Sequence, residues 1–440
     1  MNTPNSSSVR GGTGFLPPTI TSVEDTGLPS LWLQDLALKI LYSQGYLSGF
    51  KIAEAIALPF AGVTDKILGE LKKEKLVEVK SAQRSGLGAS SYLYAMTAKG
   101  NERAQEAIAR SQYAGPAPVP IETYNNAVRN QAQGRVTVTS RSMRQIMSQL
   151  VLSENTFQRL GPALNSGASI FLYGPPGNGK TSIARSFGNL VMSQNMYIPY
   201  AIFVDGQVVK MYDSVNHQLV KEDGATQRGT GSLKTGIRRD PRWVKVRRPF
   251  IVVGGELTLE GLDLVFDDTN KFYEAPFQVK ANGGILLIDD FGRQQVRPRD
   301  LLNRWIVPLE NRVDFLTLHT GRKVEVPFDV LVVFSTNLPP KDLVDEAFLR
   351  RLRHTTAEPH LHVDVPHFGV VGDERLDQLV PLLTGGQRRY IHGQAEVERD
   401  LPGIQNRRGD GRHGAVVPHG RRWQSVGRRE HHEPGGRDCD

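Results

Sequence analysis

The segment Gly174-Pro175-Pro176-Gly177-Asn178-Gly179-Lys180-Thr181 constrains this chain more than any other feature of its sequence. It matches G-x-x-x-x-G-K-[ST] in full, follows the apolar run Ile170–Tyr173, and leads into the helix-compatible stretch Ser182–Leu190. A glycine-rich loop between a strand and a helix lets backbone N–H groups converge on one point, where the helix N-terminus adds partial positive charge. Such a cradle fits phosphate. Lys180 is placed to reach the β- and γ-phosphates of a nucleotide such as ATP, and the Thr181 hydroxyl to ligate Mg²⁺, with Ser182 beside them in the first turn. The motif requires a strand, a loop and a helix in that order, so it also fixes the class as α/β with a parallel sheet.

A second feature supports the first. Gly284–Ile288 is an apolar run that ends in Asp289 and Asp290. Buried parallel strands read as continuous apolar residues, and ligands sit at their carboxyl ends. Asp289 is placed to hold Mg²⁺ through its water shell, and Asp290 to act as general base or to orient the attacking water. A third apolar strand, Val330–Phe334, ends in Ser335-Thr336-Asn337, so Asn337 points into the same cleft. The alternative for a lone Asn at a strand end is a turn. Farther on, Asp345–Arg351 reads as a helix end carrying the adjacent cations Arg350 and Arg351.

Together these residues resemble the AAA+ P-loop ATPases over about residues 161–353, with Lys180 and Thr181 in Walker A, Asp289 and Asp290 in Walker B, and Asn337 at sensor 1. The resemblance implies a three-layer α/β/α parallel sheet core and Mg²⁺-dependent hydrolysis of ATP. It makes Arg351 the first choice, and Arg350 the second, for an arginine finger acting in trans. A trans finger implies a ring of identical subunits, with a hexamer expected. Val313–Phe328 reads as two alternating strands about Thr320-Gly321 and looks like the pre-sensor-1 hairpin of the MoxR-like and Mg-chelatase-like branch. Within that branch the chain is similar to bacterial ATPases with predicted chaperone activity associated with pilus assembly. Two departures stand out: Asp290 is one methylene shorter than the usual Glu, and about 110 residues separate Lys180 from Asp289. That spacing implies an insertion at about residues 205–280.

The flanking regions complete the expected organisation. Residues 1–28 are rich in Ser, Thr, Gly and Pro without an apolar period, and read as a disordered leader. Within 29–112, three helical patterns precede the strands Val77–Lys80 and Tyr92–Met96, the order of a small winged-helix module. Its third helix mixes Lys66, Lys72 and Lys73 with Asp65 and Glu70, and Arg84 stands near the wing tip, so a protein client and DNA both remain open as partners. Residues 113–160 read as a Pro-rich linker and lead-in helices around Met143–Leu152 and Asn155–Leu164. In the insertion, Arg238–Arg248 holds six basic residues and Trp243, which either grips nucleic acid or packs Trp243 against the body.

Residues 354–440 differ from the rest. Every Lys lies at or before position 341 and nine of the eleven His lie from His354 onward, so the formal charge of +8 comes from two unlike stretches and identifies no partner. The tail has no helical apolar period and reads as irregular, either as a basic disordered tail or as the product of a shifted reading frame, with no recognisable lid. Cys439 is the sole cysteine, so a metal would be held by oxygens. No apolar run approaches the roughly 20 residues of a membrane span, and a cytoplasmic location is expected. Three functions follow as alternatives: a client-remodelling ATPase, a DNA-associated regulator, and a nucleotide-binding module with little turnover.

Overall fold

The stretch expected to lack order is built into the fold from Phe15 onward in the computed structural model, which describes residues 15–339 apart from 83–88, 133–136, 151, 153, 168 and 221–238, together with Leu343 and residues 362–364. Ile20, Val23 and Leu28 are buried in the first core cluster, and Phe15 packs on Trp243 at 5.2 Å. These apolar residues are irregularly spaced because the segment forms turns, with the Asp25 carboxylate accepting the N–H groups of Thr21 and Ser22. Turns of this kind carry neither a helical nor a strand period.

An N-terminal unit follows. Helix α1 (Ser30–Gln44) buries the expected Leu33, Leu36, Ile40 and Leu41, and also Gln34, Leu38 and Lys39, so it is enclosed on more than one face. Strand β1 (Tyr46–Ser48) leads into α2 (Gly49–Ala55), where the Ser48 side chain accepts the Lys51 N–H and caps the helix. Helix α3 (Asp65–Lys73), strands β2 (Val77–Ala82) and β3 (Tyr92–Met96), and helix α4 (Ala98–Arg110) complete it. The three strands form an antiparallel sheet in the order β1-β3-β2.

The Pro-rich stretch is more than a linker. Val119–Pro120 forms strand β4 and runs into α5 (Ile121–Ala132), whose Tyr124, Ala127 and Val128 are buried. Helices α6 (Ser140–Ile146) and α7 (Glu154–Ser166) then lead to β5 (Ile170–Tyr173) and α8 (Lys180–Met192). Helix α6 is shorter than its apolar pattern, ending where the chain turns and the Leu150 N–H closes on the Met147 carbonyl.

The stretch between α8 and Ile285, where an insertion is expected at about residues 205–280, is built mainly of short strands. Strands β6 (Asn195–Pro199), β7 (Ala201–Val204), β8 (Gln207–Lys210) and β9 (Trp243–Arg247) precede β10 (Phe250–Val253). After it come β11 (Val265–Asp267), β12 (Phe272–Glu274), α9 (Phe277–Lys280) and β13 (Ile285–Ile288). Strands β6 and β9 pair with each other, while a mixed five-stranded sheet runs β11-β12-β8-β7-β4. Its residues alternate between two cores: Ala201 and Val208 join the N-terminal unit, whereas Ile202, Val204, Val209 and Tyr273 join Tyr124 and the later hairpin. Both faces are covered, so this sheet is a middle layer.

Helix α10 (Pro298–Asn311), the hairpin β14 (Val313–Thr317) and β15 (Lys323–Pro327), and strand β16 (Leu331–Thr336) follow. Strand β17 (His362–Asp364) pairs in parallel with β5, from within the stretch read as tail; the remainder of that stretch lies outside the described residues. The nucleotide-type core is an all-parallel sheet in the order β10-β13-β16-β5-β17. Alternate strand residues again sort to two sides: Leu172, Leu287 and Val333 pack with Ile183 and Phe187 of α8 and Leu160 of α7, while Phe171, Ile288 and Phe334 pack with Leu301, Leu302 and Trp305 of α10. Helices on both faces make the expected three-layer α/β/α arrangement of a P-loop fold. Gly188 allows α8 to lie close to the sheet, since a Cβ there would stand 2.6 Å from the Phe250 ring.

Candidate active site

The sheet order assembles the site. Strand β16 sits between β5 and β13, with Phe334 in register with Phe171 on one side and Ile288 on the other. The carboxyl ends of these three strands therefore emerge side by side, carrying the glycine-rich loop, Asn337 and Asp289. Residues distant in sequence meet because parallel strands align their ends.

The loop Gly174–Gly179 turns through glycines at positive φ, Gly177 at 86° and Gly179 at 73°, with open space where a Cβ would stand. Any other residue would be strained there. Pro175, Pro176 and Gly177 are exposed, Gly174 and Asn178 are buried, and Ser182 is exposed in the first turn of α8. Lys180 opens that helix and is 7% exposed. Its ammonium donates to the carbonyls of Gly174 at 3.0 Å and Pro175 at 2.9 Å, which holds it against the loop. Burial pulls its pKa below the ordinary lysine value, and the carboxylates of Asp290 and then Asp289 oppose that pull. A cation held in this way is primed for phosphate oxygens.

Thr181 donates its hydroxyl to both carboxylate oxygens of Asp289, each at 3.2 Å. Asp289 Oδ1 also accepts the Asp290 N–H at 3.1 Å. The donor set is oxygen only, and among the described residues no group of three or more His, Cys, Asp or Glu could hold a metal ion. One hydroxyl and one carboxylate suit Mg²⁺, which takes few protein ligands and completes its shell with water and phosphate.

Asp290 is exposed and has φ 51°, the left-handed region that few residues other than glycine occupy. The next residue anchors this turn: the Phe291 N–H donates to the Ser335 carbonyl at 2.7 Å, and Thr336 Oγ1 donates to the Phe291 carbonyl at 2.7 Å. Asn337 follows Thr336 at the tip of β16 and is half-buried. Arg350 and Arg351 lie outside the described residues.

Two polar side chains beside the site had no sequence signal. Glu256, past the end of β10, accepts the Gly254 N–H at 2.9 Å, and Gln294 hydrogen-bonds across the Asp290 turn. Their places depend on pairing between β10 and β13 and on turn geometry, neither of which a motif encodes.

Within the described part of the basic run, Trp243 packs inside the protein while Arg247 is exposed and Arg239 and Lys245 are half-buried. Trp243 is 6% exposed, and Arg242 and Arg248 are 2% and 3% exposed. Arg242 pairs with Asp240 and donates to the carbonyls of Thr26 at 2.8 Å and Pro118 at 2.9 Å. A ring enclosed this way cannot stack on a base. No described helix is long and apolar enough to cross a membrane.

No protein-family model matches the sequence, and no curated protein matches it. Among solved structures, the chain is similar to NtrX from Brucella abortus at 17% identity and TM-score 0.27, over 60% of this chain and 49% of that one. It is similar at 16% identity and TM-score 0.27 to NtrX in complex with ATP, over 60% and 47% of the two chains. The complex between subunits BchI and BchD of magnesium chelatase gives 14% identity and TM-score 0.28, over 53% of this chain and 63% of that one. The chain thus spans about half the length of the NtrX chains it matches.

Proposed function

We propose that this chain is an AAA+ ATPase that binds Mg·ATP, hydrolyses it as a ring, and uses the cycle to remodel a protein client. One observation carries the reading: the glycine-rich loop with Lys180 and the Thr181–Asp289 pair stand together at the carboxyl ends of neighbouring parallel strands. That is the arrangement in which a triphosphate is cradled by backbone N–H groups, its charge offset by one lysine and one metal ion.

In this reading Lys180 exchanges its two carbonyl partners for phosphate oxygens, and the Gly174–Thr181 backbone holds the β-phosphate. Thr181 and Asp289 would hold Mg²⁺, which would supply charge neutralisation at the phosphates. Asp290 takes the proton of, or orients, the attacking water, and Asn337 hydrogen-bonds that water or the γ-phosphate. The chemistry is mostly positioning and charge neutralisation, so rigidity of the strand tips matters more than any one strong acid or base. Arg351, or failing it Arg350, completes the site of a neighbouring subunit in a hexameric ring. The antiparallel β14–β15 ribbon, read as a pre-sensor-1 hairpin, supports the MoxR-like branch.

The N-terminal unit has the strand and helix order of a winged helix, and we assign it to client recruitment. Trp32 packs edge-on to Phe203 at 5.3 Å, and Tyr113 on Phe272 at 5.7 Å, so the unit is fastened to the middle-layer sheet. A client bound there would pull on the same sheet that backs the hairpin. DNA is the competing partner, favoured by the exposed Lys66, Lys72 and Lys73 of α3; salt-dependent duplex binding would select it.

Phosphate release from Mg·ATP by the parent and Lys180→Ala, over a range of protein concentrations, tests the proposal. Turnover that the substitution abolishes and that rises per subunit with concentration is expected. Tight ATP binding with no release would instead select a nucleotide-binding module.

A further inference from the structure

Gln294 stands on the loop after β13, half-buried, and its side chain closes both ends of the turn that carries Asp290. Nε2 donates to the main-chain carbonyl of Asp289 at 2.8 Å, and Oε1 accepts the Gly292 N–H at 2.8 Å. Inside this bridge lie Asp290 at φ 51° and Phe291, whose N–H and carbonyl are both tied to the end of β16. The Arg293 N–H also closes on the Asp290 carbonyl at 3.0 Å.

Asp adopts left-handed backbone more readily than most residues other than glycine, yet the conformation still costs energy unless its surroundings hold it. Two anchors do so here. Strand β16 fixes the side of Phe291, and Gln294 fixes the Asp289–Asp290 peptide, because the carbonyl of Asp289 belongs to that plane. Rotating the plane would redirect the Asp290 carboxylate. Only a side chain with one donor and one acceptor at this reach satisfies both ends, which is the chemistry of an amide. Glu would lose the donor, and Ala both groups.

We propose that Gln294 is a positioning residue for hydrolysis, holding the Asp290 turn so that its carboxylate faces the γ-phosphate. The inference rests on Asp290 as the base or water-orienting group. It also gives the shorter Asp a structural context: a carboxylate lacking one methylene reaches its target through the direction of the backbone that carries it.

The test compares full-length parent with Gln294→Ala, Gln294→Glu, Asp290→Asn and the double variant Gln294→Ala/Asp290→Asn, reading kcat and KM for phosphate release and the affinity for Mg·ATP. Both Gln294 variants are expected to lose roughly 10–100-fold in kcat, the scale of a small misplacement of a reacting group, while nucleotide affinity stays within about twofold of the parent. In the Asp290→Asn background the Gln294→Ala loss should vanish, since a residue acting through another contributes nothing once that other is disabled. Parental kcat in both Gln294 variants, with Asp290→Asn inactive, overturns the positioning role and leaves the Asp290 reading intact. An additive double variant, or loss of nucleotide binding in Gln294→Ala, also overturns it. Parental turnover in Asp290→Asn overturns the Asp290 reading, and the positioning role falls with it.

Discussion

The Thr181 hydroxyl stands 3.2 Å from each carboxylate oxygen of Asp289, although the two residues are 108 positions apart. This pair joins the start of α8 to the end of β13 and presents a hard, oxygen-only site beside the glycine-rich loop. A metal ion held there would be lost with either partner.

Thr181→Ala and Asp289→Asn should each remove most of the difference between nucleotide affinity in Mg²⁺ and in EDTA, by roughly tenfold or more, the scale of disturbing a metal's surroundings. The double variant should be little worse than either single one, because both act on one ion. Fluorescent-nucleotide titrations in the two buffers measure this. Unchanged Mg²⁺ dependence in both single variants would place the ion elsewhere.

A finger supplied by a neighbour makes a distinct signature. Lys180→Ala and Arg351→Ala should each be inactive alone, yet mixing them should restore part of the phosphate release, since mixed rings contain interfaces with one intact Lys180 and one intact Arg351. Arg350→Ala should show less effect in the same assay. No recovery in any mixture would argue that Arg351 acts within its own subunit or not at all.

Arg242 and Asp240 form an ion pair whose side chains are 3% and 1% exposed. Arg242→Met leaves the Asp240 carboxylate buried without its cation and releases the carbonyls of Thr26 and Pro118, so a loss of about 3–5 kcal/mol in urea unfolding is expected. Asp240→Leu/Arg242→Met should recover part of it. Proteolysis within residues 15–28 should also accelerate in Arg242→Met, because this side chain ties that segment to the insertion.

Asp213 gives a pH prediction. Burial raises its pKa, but the Val215 N–H, the Asn216 amide and the Lys280 ammonium outweigh burial and bring it down from 3.8 to about 2. A depressed carboxylate contributes stability that is fully present above its unfolded pKa and is lost as pH falls through the folded one. That contribution should fade between about pH 4 and pH 2, and Asp213→Asn should flatten the melting temperature over that window. Parallel curves for parent and variant would remove Asp213 from the acid response.

The candidate residues that the structure brings together could be picked out in the sequence because their motifs are short and local. Gly177 and Gly179 impose the turn, Lys180 and Thr181 follow in the same motif, and an apolar run ending in Asp289 announces a buried strand. The helices and strands of the N-terminal unit were legible for the same reason, through local apolar patterning and turn residues. Arg242 shows the opposite case. It stands in a run of basic residues whose role the sequence left open, but its carbonyl partners are 216 and 124 positions away, and no local pattern states that a charged residue will be enclosed by segments so distant.

The sequence by itself determined the parallel α/β class, the glycine-rich turn and the polar residues eligible to act around it, since backbone propensity and side-chain chemistry act within a few residues. Only the tertiary structure decided that β16 lies between β5 and β13, that the insertion becomes a sheet buried on both faces, and that Gln294 spans the Asp290 turn. Those outcomes depend on which distant strands pair and on which apolar faces find partners, and that choice is made by the folded whole, where burial and hydrogen-bond satisfaction are settled together.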